Sequence, residues 1–199
     1  MASLLINADY NSTSIKVSLP DYFIDSTGSV LCGTDLGPTV LRTILRFPMD
    51  DLPSGQAISL AEVRLTQWQN FDTSDRSHYY GPYHVNGLTD PEGDNALTQH
   101  TRSDVSSTKY VTTTDHQTDG NKAVAITSGA AAHIAAAAGA TYTVVLQQTD
   151  ETTDATKYFK AYGQDESLTP PDHVPQLYIE YAPAPSADSG APPFWRWRV

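Results

Sequence analysis

The chain has 199 residues, with 12 Lys and Arg against 23 Asp and Glu, which gives a formal net charge of −11. Hydrophobic residues make up 39% and charged residues 18%, so the polarity comes mainly from Thr, Ser, Asn and Gln, and the composition is not that of a disordered chain. The acidic balance argues against non-specific nucleic-acid binding, which depends on cations neutralising phosphates. A single cysteine, Cys32, excludes an internal disulfide and a Cys/Cys zinc site.

The opening Met1-Ala2-Ser3-Leu4-Leu5-Ile6-Asn7 has no basic start and no long apolar stretch, unlike a secretory signal. No run approaches the about 20 apolar residues of a membrane-spanning helix. The expectation is a chain that folds where it is made, without export and without a membrane contact.

Residues 14–19 are the first strand candidate. Residues 40–47 are the clearest, with Leu41, Thr43, Leu45 and Phe47 alternating with Arg42, Ile44 and Arg46 in the period-2 pattern of a half-buried strand. The turn Pro48-Met49-Asp50-Asp51-Leu52-Pro53-Ser54-Gly55 follows. Residues 58–68 then place Ala61, Val63 and Leu65 on one face and Glu62, Arg64 and Thr66 on the other. Further strands are expected at 82–86, 123–126, 141–147, 157–162 and 176–181. Many short strands between turns predict an all-β fold, an antiparallel β-sandwich of jelly-roll type.

One segment departs from this pattern. Residues 128–139, rich in Ala, read as a short helix with Ser128 as N-cap and Gly139 at the C-terminal end. Two or three turns do not hold alone in water, so the helix is expected to dock on the sheet through Ile134. Residues 72–120 read as long polar loops with one or two strands inside. A Pro-rich linker begins at residue 183 and ends in Phe194-Trp195-Arg196-Trp197-Arg198-Val199, which holds two of the three Trp. The division is therefore a β-domain over 1–182 and a docking tail over 183–199.

The order of elements resembles the DNRLRE-type domain, related to the family-96 carbohydrate-binding modules. The matching residues begin at Asp21-Tyr22-Phe23-Ile24-Asp25-Ser26. The most specific block runs from Thr43-Ile44-Leu45-Arg46-Phe47-Pro48 through Leu52-Pro53-Ser54-Gly55 to Ala61-Glu62-Val63-Arg64-Leu65. The resemblance covers about residues 20–182. It implies a β-sandwich module of a kind found in secreted surface proteins and in phage virions.

No catalytic signature is present: there is no G-x-S-x-G, no H-E-x-x-H and no phosphate-binding glycine loop, so no enzyme activity is expected. His78, His84, His100 and His116 lie near Asp residues without ligand spacing, and no metal is expected at them. No cofactor is expected, with calcium at the acidic groups Asp72/Asp75 or Asp90/Glu92/Asp94 as the alternative. The aromatic group Trp68, Phe71, Tyr79, Tyr80 and Tyr83 has two readings. In one, Trp68 caps the core and the tyrosines pack at the rim with wet hydroxyls. In the other, Trp68, Tyr79, Tyr80 and Tyr83 stack on a glycan.

Trp and Arg are enriched at interface hot spots, and an exposed apolar peptide needs a surface to cover it. Phe194, Trp195, Arg196, Trp197, Arg198 and Val199 are therefore expected to dock on a neighbouring subunit. The sequence expectation is a virion structural or accessory protein of a tailed phage, assembled in the host cytoplasm. Its partners would be capsid, neck or tail proteins and further copies of itself. A carbohydrate-binding module for a cell-surface polysaccharide is the alternative, and the two are compatible.

Overall fold

The computed structural model describes residues 1–16, 22–24, 29–35, 39–82, 109–151, 156–164 and 172–183. The tail 184–199, the segment 83–108 and with them Tyr83, His84, Asp90, Glu92, Asp94 and His100 lie outside the described residues. The chain is all-β with one short helix, as expected.

Among the described residues twelve strands form one continuous antiparallel sheet. In chain order they are β1 (Ala2–Asn7), β2 (Tyr10–Lys16), β3 (Tyr22–Ile24), β4 (Ser29–Asp35), β5 (Thr39–Pro48) and β6 (Gln56–Phe71). There follow β7 (His78–Pro82), β8 (Val111–Thr113), β9 (Gly120–Ala125), β10 (Thr141–Gln148), β11 (Lys157–Tyr162) and β12 (Gln176–Pro183). The longest path through the ladder is β1-β12-β6-β11-β4-β5-β10-β7-β8. The sheet curls, and its distant parts pack on one another across the core.

Two strands organise the curl. β6 pairs with β12 over 56–64 and with β9 over 62–67, so these two lie on opposite edges. β11 overlaps β9 at Gln67 and therefore continues the β12 edge. β5 pairs with β2 along 40–46, which leaves β4 and then β10 on its other edge. β4 joins the two halves, with Gly33 opposite both Tyr158 of β11 and Leu41 of β5. Gly33 has φ +138°, and a Cβ there would overlap the Lys157 carbonyl oxygen. Only glycine fits that crossing.

The core gathers Val30 and Cys32 of β4, Leu45 and Phe47 of β5, Ala61, Val63 and Leu65 of β6, Val144 and Leu146 of β10, Phe159 of β11, and Leu177 and Ile179 of β12. The predicted division of β6 therefore holds: Ala61, Val63 and Leu65 face in. β5 differs from the expected half-buried strand, because both its faces are buried. Its arginines are neutralised there. Arg42 Nε and Nη2 donate to the two carboxylate oxygens of Glu151, each at 2.8 Å, and Arg46 makes the same fork on Asp9 at 2.8 and 3.0 Å. A guanidinium fork matched to a carboxylate makes such burial tolerable.

The helix α1 runs over Thr127–Ala136 and docks through Ala130 and Ile134, both fully buried. Ser128 does not cap it; the N-cap is Ile126, with no side-chain cap hydrogen bond. The Ile126 N–H donates to the Ala61 carbonyl, and Thr127 Oγ1 accepts from the Ala61 N–H at 2.8 Å. The helix is thus launched directly from β9, and the available hydroxyl serves β6 instead of the helix end. Of the strands expected at 14–19 and 82–86, residues 17–19 and 83–86 lie outside the described residues; the described strands that reach them are β2, Tyr10–Lys16, and β7, His78–Pro82.

Candidate functional site

β6 and β11 carry different chemistry on their two faces, and a single irregularity makes the difference. Along the ladder Phe71 faces Tyr158, Asn70 faces Phe159 and Gln69 faces Lys160, but the next pair is Gln67 with Ala161. Trp68 is the extra residue of a β-bulge. An unbroken strand would send residues 68 and 71 to opposite faces; the added residue shifts the phase and puts both outside.

Tyr158, Lys160 and Tyr162 project from the same face of β11, because Phe159 and Ala161 between them are buried. The result is a solvent-facing row. Phe71 and Tyr158 have ring centroids 4.4 Å apart, Trp68 and Tyr162 6.3 Å, and Tyr162 and His173 4.8 Å. Trp68 is 43% exposed. From Tyr158 to Tyr162 the backbone advances about 13 Å, at about 3.3 Å per residue. Lys160 stands in the row, its Nζ 5.5 Å from the Trp68 ring centre, 5.4 Å from Phe71 and 5.8 Å from Tyr158. Cation–π attraction to several faces holds the ammonium over them.

On the same face of β6, two and four residues before Trp68, come Thr66 and Arg64. They border a depression of about 190 Å³ lined also by Asn121, Lys122, Asp172 and Gln176. The Arg64 guanidinium lies 4.1 Å over the Tyr178 ring and is bridged to Glu62. An aromatic row thus runs into a small pocket with donors, acceptors and both signs of charge.

Beneath this row, on the inner face, the same strands build a buried network. His116, on the 3-10 turn Asp115–Gln117, stacks on Phe159 at 4.3 Å with an interplanar angle of 10°. Its Nδ1 lies 3.2 Å from Gln67 Oε1, an acceptor only, so Nδ1 carries the proton. Nε2 then accepts from the Tyr80 hydroxyl at 2.8 Å. The His116 backbone carbonyl accepts from Gln67 Nε2, Asn70 Nδ2 and Thr73 Oγ1 at 3.2, 2.9 and 3.0 Å. Burial raises the Tyr80 pKa and, with His78 and Lys122 nearby, lowers that of His116.

The residues expected to touch a glycan therefore separate. Trp68 is on the open face. Tyr80 is fully buried, and Tyr79 is 9% exposed with its hydroxyl donated to Gln147 Oε1 at 2.6 Å. Neither presents a ring face to solvent, because β7 is covered on both sides of its register. Phe71 joins the open row, and Tyr158, Lys160 and Tyr162 complete it. The alternation Tyr-x-Lys-x-Tyr in β11 is the sequence signal that could have found them. Asp72 and Asp75 face Lys157, at 3.9 and 2.7 Å, and the Asp75 hydrogen bond with Lys157 lowers its pKa. Among the described residues no three His, Cys, Asp or Glu side chains converge to hold a metal ion. No described helix is long and apolar enough to cross a membrane. Neither the family models nor the curated proteins contain a match to this chain.

Proposed function

We propose that the chain is a non-catalytic binding domain that holds a carbohydrate along the outer face of β6 and β11. The observation that carries this reading is the bulge-aligned row of Phe71, Tyr158, Trp68 and Tyr162. Aromatic side chains fixed on a rigid sheet offer apolar surface to the C–H faces of pyranose rings, while the tyrosine hydroxyls can accept from or donate to sugar hydroxyls and the Trp68 N–H can donate to them. The neighbouring pocket of Arg64, Asn121, Asp172 and Gln176 adds the few oriented polar groups that a ligand site needs. An exposed Trp68 flanked by half-buried rings on an otherwise acidic, polar chain is also suited to a partner.

The test is titration of the full chain with soluble polysaccharides, neutral and anionic, by calorimetry or affinity electrophoresis. Trp68→Ala should weaken binding at least about tenfold, the equivalent of about 1.4 kcal/mol, while Tyr79→Phe should leave it unchanged. Equal affinity of Trp68→Ala and the parent chain for every glycan bound would overturn the reading.

A place in a phage virion is a compatible second reading, carried by the sequence of 183–199. There the Pro-rich linker and Phe194-Trp195-Arg196-Trp197-Arg198-Val199 would anchor the domain to a capsid, neck or tail protein. Loss of particle incorporation on truncation after residue 182 is the expected result, and unchanged incorporation would remove the anchor.

A further inference from the structure

The inner network contains one residue that hydrogen bonding leaves unexplained. His78 of β7 is fully buried, and neither ring nitrogen has a hydrogen-bond partner among the described residues. Its ring stands edge-on to His116 at 5.4 Å and to Phe159 at 5.1 Å. Two imidazoles thus share one buried compartment, closed by Phe159, with Gln148 and Thr113 opposite His78 on β10 and β8.

The neutral forms suit this compartment and the charged forms do not. Protonated His116 would carry a second N–H at Nε2, facing a Tyr80 hydroxyl that now donates to that nitrogen. Protonated His78 would bury two N–H donors and a positive charge beside His116. The titratable groups around the pair give no compensation. Cys32 of β4 and Tyr80 of β7 are held neutral by burial, Lys122 of β9 adds positive charge, and Asp115 beside His116 is exposed. Arg76 is turned to Asp75 and Asp150. No carboxylate among the described residues pairs with either ring.

What the pair holds together is local. The His116 turn is tied to β6 by Gln67 and Asn70 and to the following loop by Thr73. Gln117 Nε2 donates to the Arg76 carbonyl at 2.7 Å. β8 reaches the sheet only through β7, over three residue pairs among the described residues.

We propose that His78 and His116 form an acid-released latch: protonation of the pair frees the His116 turn and the β7–β8 edge from β6 and opens this end of the sheet. The latch is closed at neutral pH, where both rings are neutral. Burial lowers the His78 pKa to about 4 and moves that of His116 in the same direction. An exposed histidine takes its proton near pH about 6.5. Closure is therefore complete above about 6.5 and is lost progressively as the pH falls toward 4, because the open form binds protons that the closed form excludes. The opening constant should rise about tenfold per pH unit for each of the two rings, about a hundredfold for both.

The test is amide hydrogen exchange of the full chain from pH 7.5 to 4.5, corrected for intrinsic exchange. Residues 111–119 should lose protection steeply with acid while β12 keeps its own. His78→Phe retains an aromatic ring and removes one proton, so it should cut the dependence to about tenfold per unit; His173→Gln, on the outer row, should leave it unchanged. Identical pH dependence in the parent chain and His78→Phe would overturn the latch. Should His78→Phe fail to fold, ring-proton titration of the parent chain decides. Two histidines that stay neutral until the turn opens support the latch, and six histidines titrating near 6.5 in the folded protein overturn it.

Discussion

Two sets of rings lie back to back on β6 and β11, separated by the thickness of one sheet. Inside, Phe159 stacks on His116, with Tyr80 and His78 against them, and every contact depends on the exclusion of water. Outside, Tyr158, Lys160 and Tyr162 stand next to Trp68 and Phe71 with water on one side. Neighbours in sequence are thus assigned opposite tasks: Gln67 fixes a buried tautomer, and Trp68 presents a ring to solvent. The contrast teaches that composition does not separate a core aromatic from a binding aromatic. Register does, and here one inserted residue sets the register.

Substitutions should separate the two faces cleanly. Phe159→Ala removes the plate on which both histidines rest and should cost about 3–5 kcal/mol in urea unfolding, the range of a large core truncation. Gln67→Leu keeps the volume but unpairs His116 Nδ1 and removes one donor from the His116 carbonyl. A loss of about 2 kcal/mol is expected, the cost of leaving a buried polar group unmet. On the outer face Trp68→Ala should change stability by only about 0.5 kcal/mol, as at other open surface positions. A loss as large as that of Phe159→Ala would mean that the outer row belongs to the core.

An effect confined to alkaline pH concerns the inner face where Tyr110 packs against the helix. Its hydroxyl is 2.5 Å from His133 Nδ1, and burial raises its pKa to about 12. Because the fold favours the neutral phenol, its contribution is intact below pH about 10 and fades as the pH rises toward 12. Tyr110→Phe should flatten the alkaline limb of the stability profile and leave the acid limb unaltered, as followed by circular dichroism.

Much of this framework was legible in the sequence. The alternation in residues 58–68 marks the inner face of β6, the pattern of 157–162 matches β11 in its bounds, and Ile134 is the helix's buried contact as its apolar character predicts. What the sequence does not display depends on pairing between distant residues. β4 carries Gly33 and Asp35, which read locally as breakers, yet the glycine is required by the crossing strand. β8 has three residues and no pattern of its own. Arg42 and Arg46 marked β5 as half-exposed because their carboxylate partners, Glu151 and Asp9, are remote in sequence. Strict alternation would send Trp68 and Phe71, three apart, to opposite faces, and the register shift that brings them together has no local signal. Tyr80 reads locally as a rim residue, and the partner that keeps its hydroxyl inside, His116, lies 36 positions later.

The pairing of β6 also orders events in time. Its three partners, β9, β11 and β12, all follow it in the chain, and Ala61 meets Ile179 only when most of the sequence has been made. During synthesis a 16-residue strand with an apolar inner face must therefore wait with both edges unpaired. Such an intermediate is slow to mature and prone to stick to its own kind. Glu62 and Arg64, alternating with the apolar residues, interrupt the flat apolar template another nascent chain would need, so the charged outer face of β6 also guards the strand before its partners arrive.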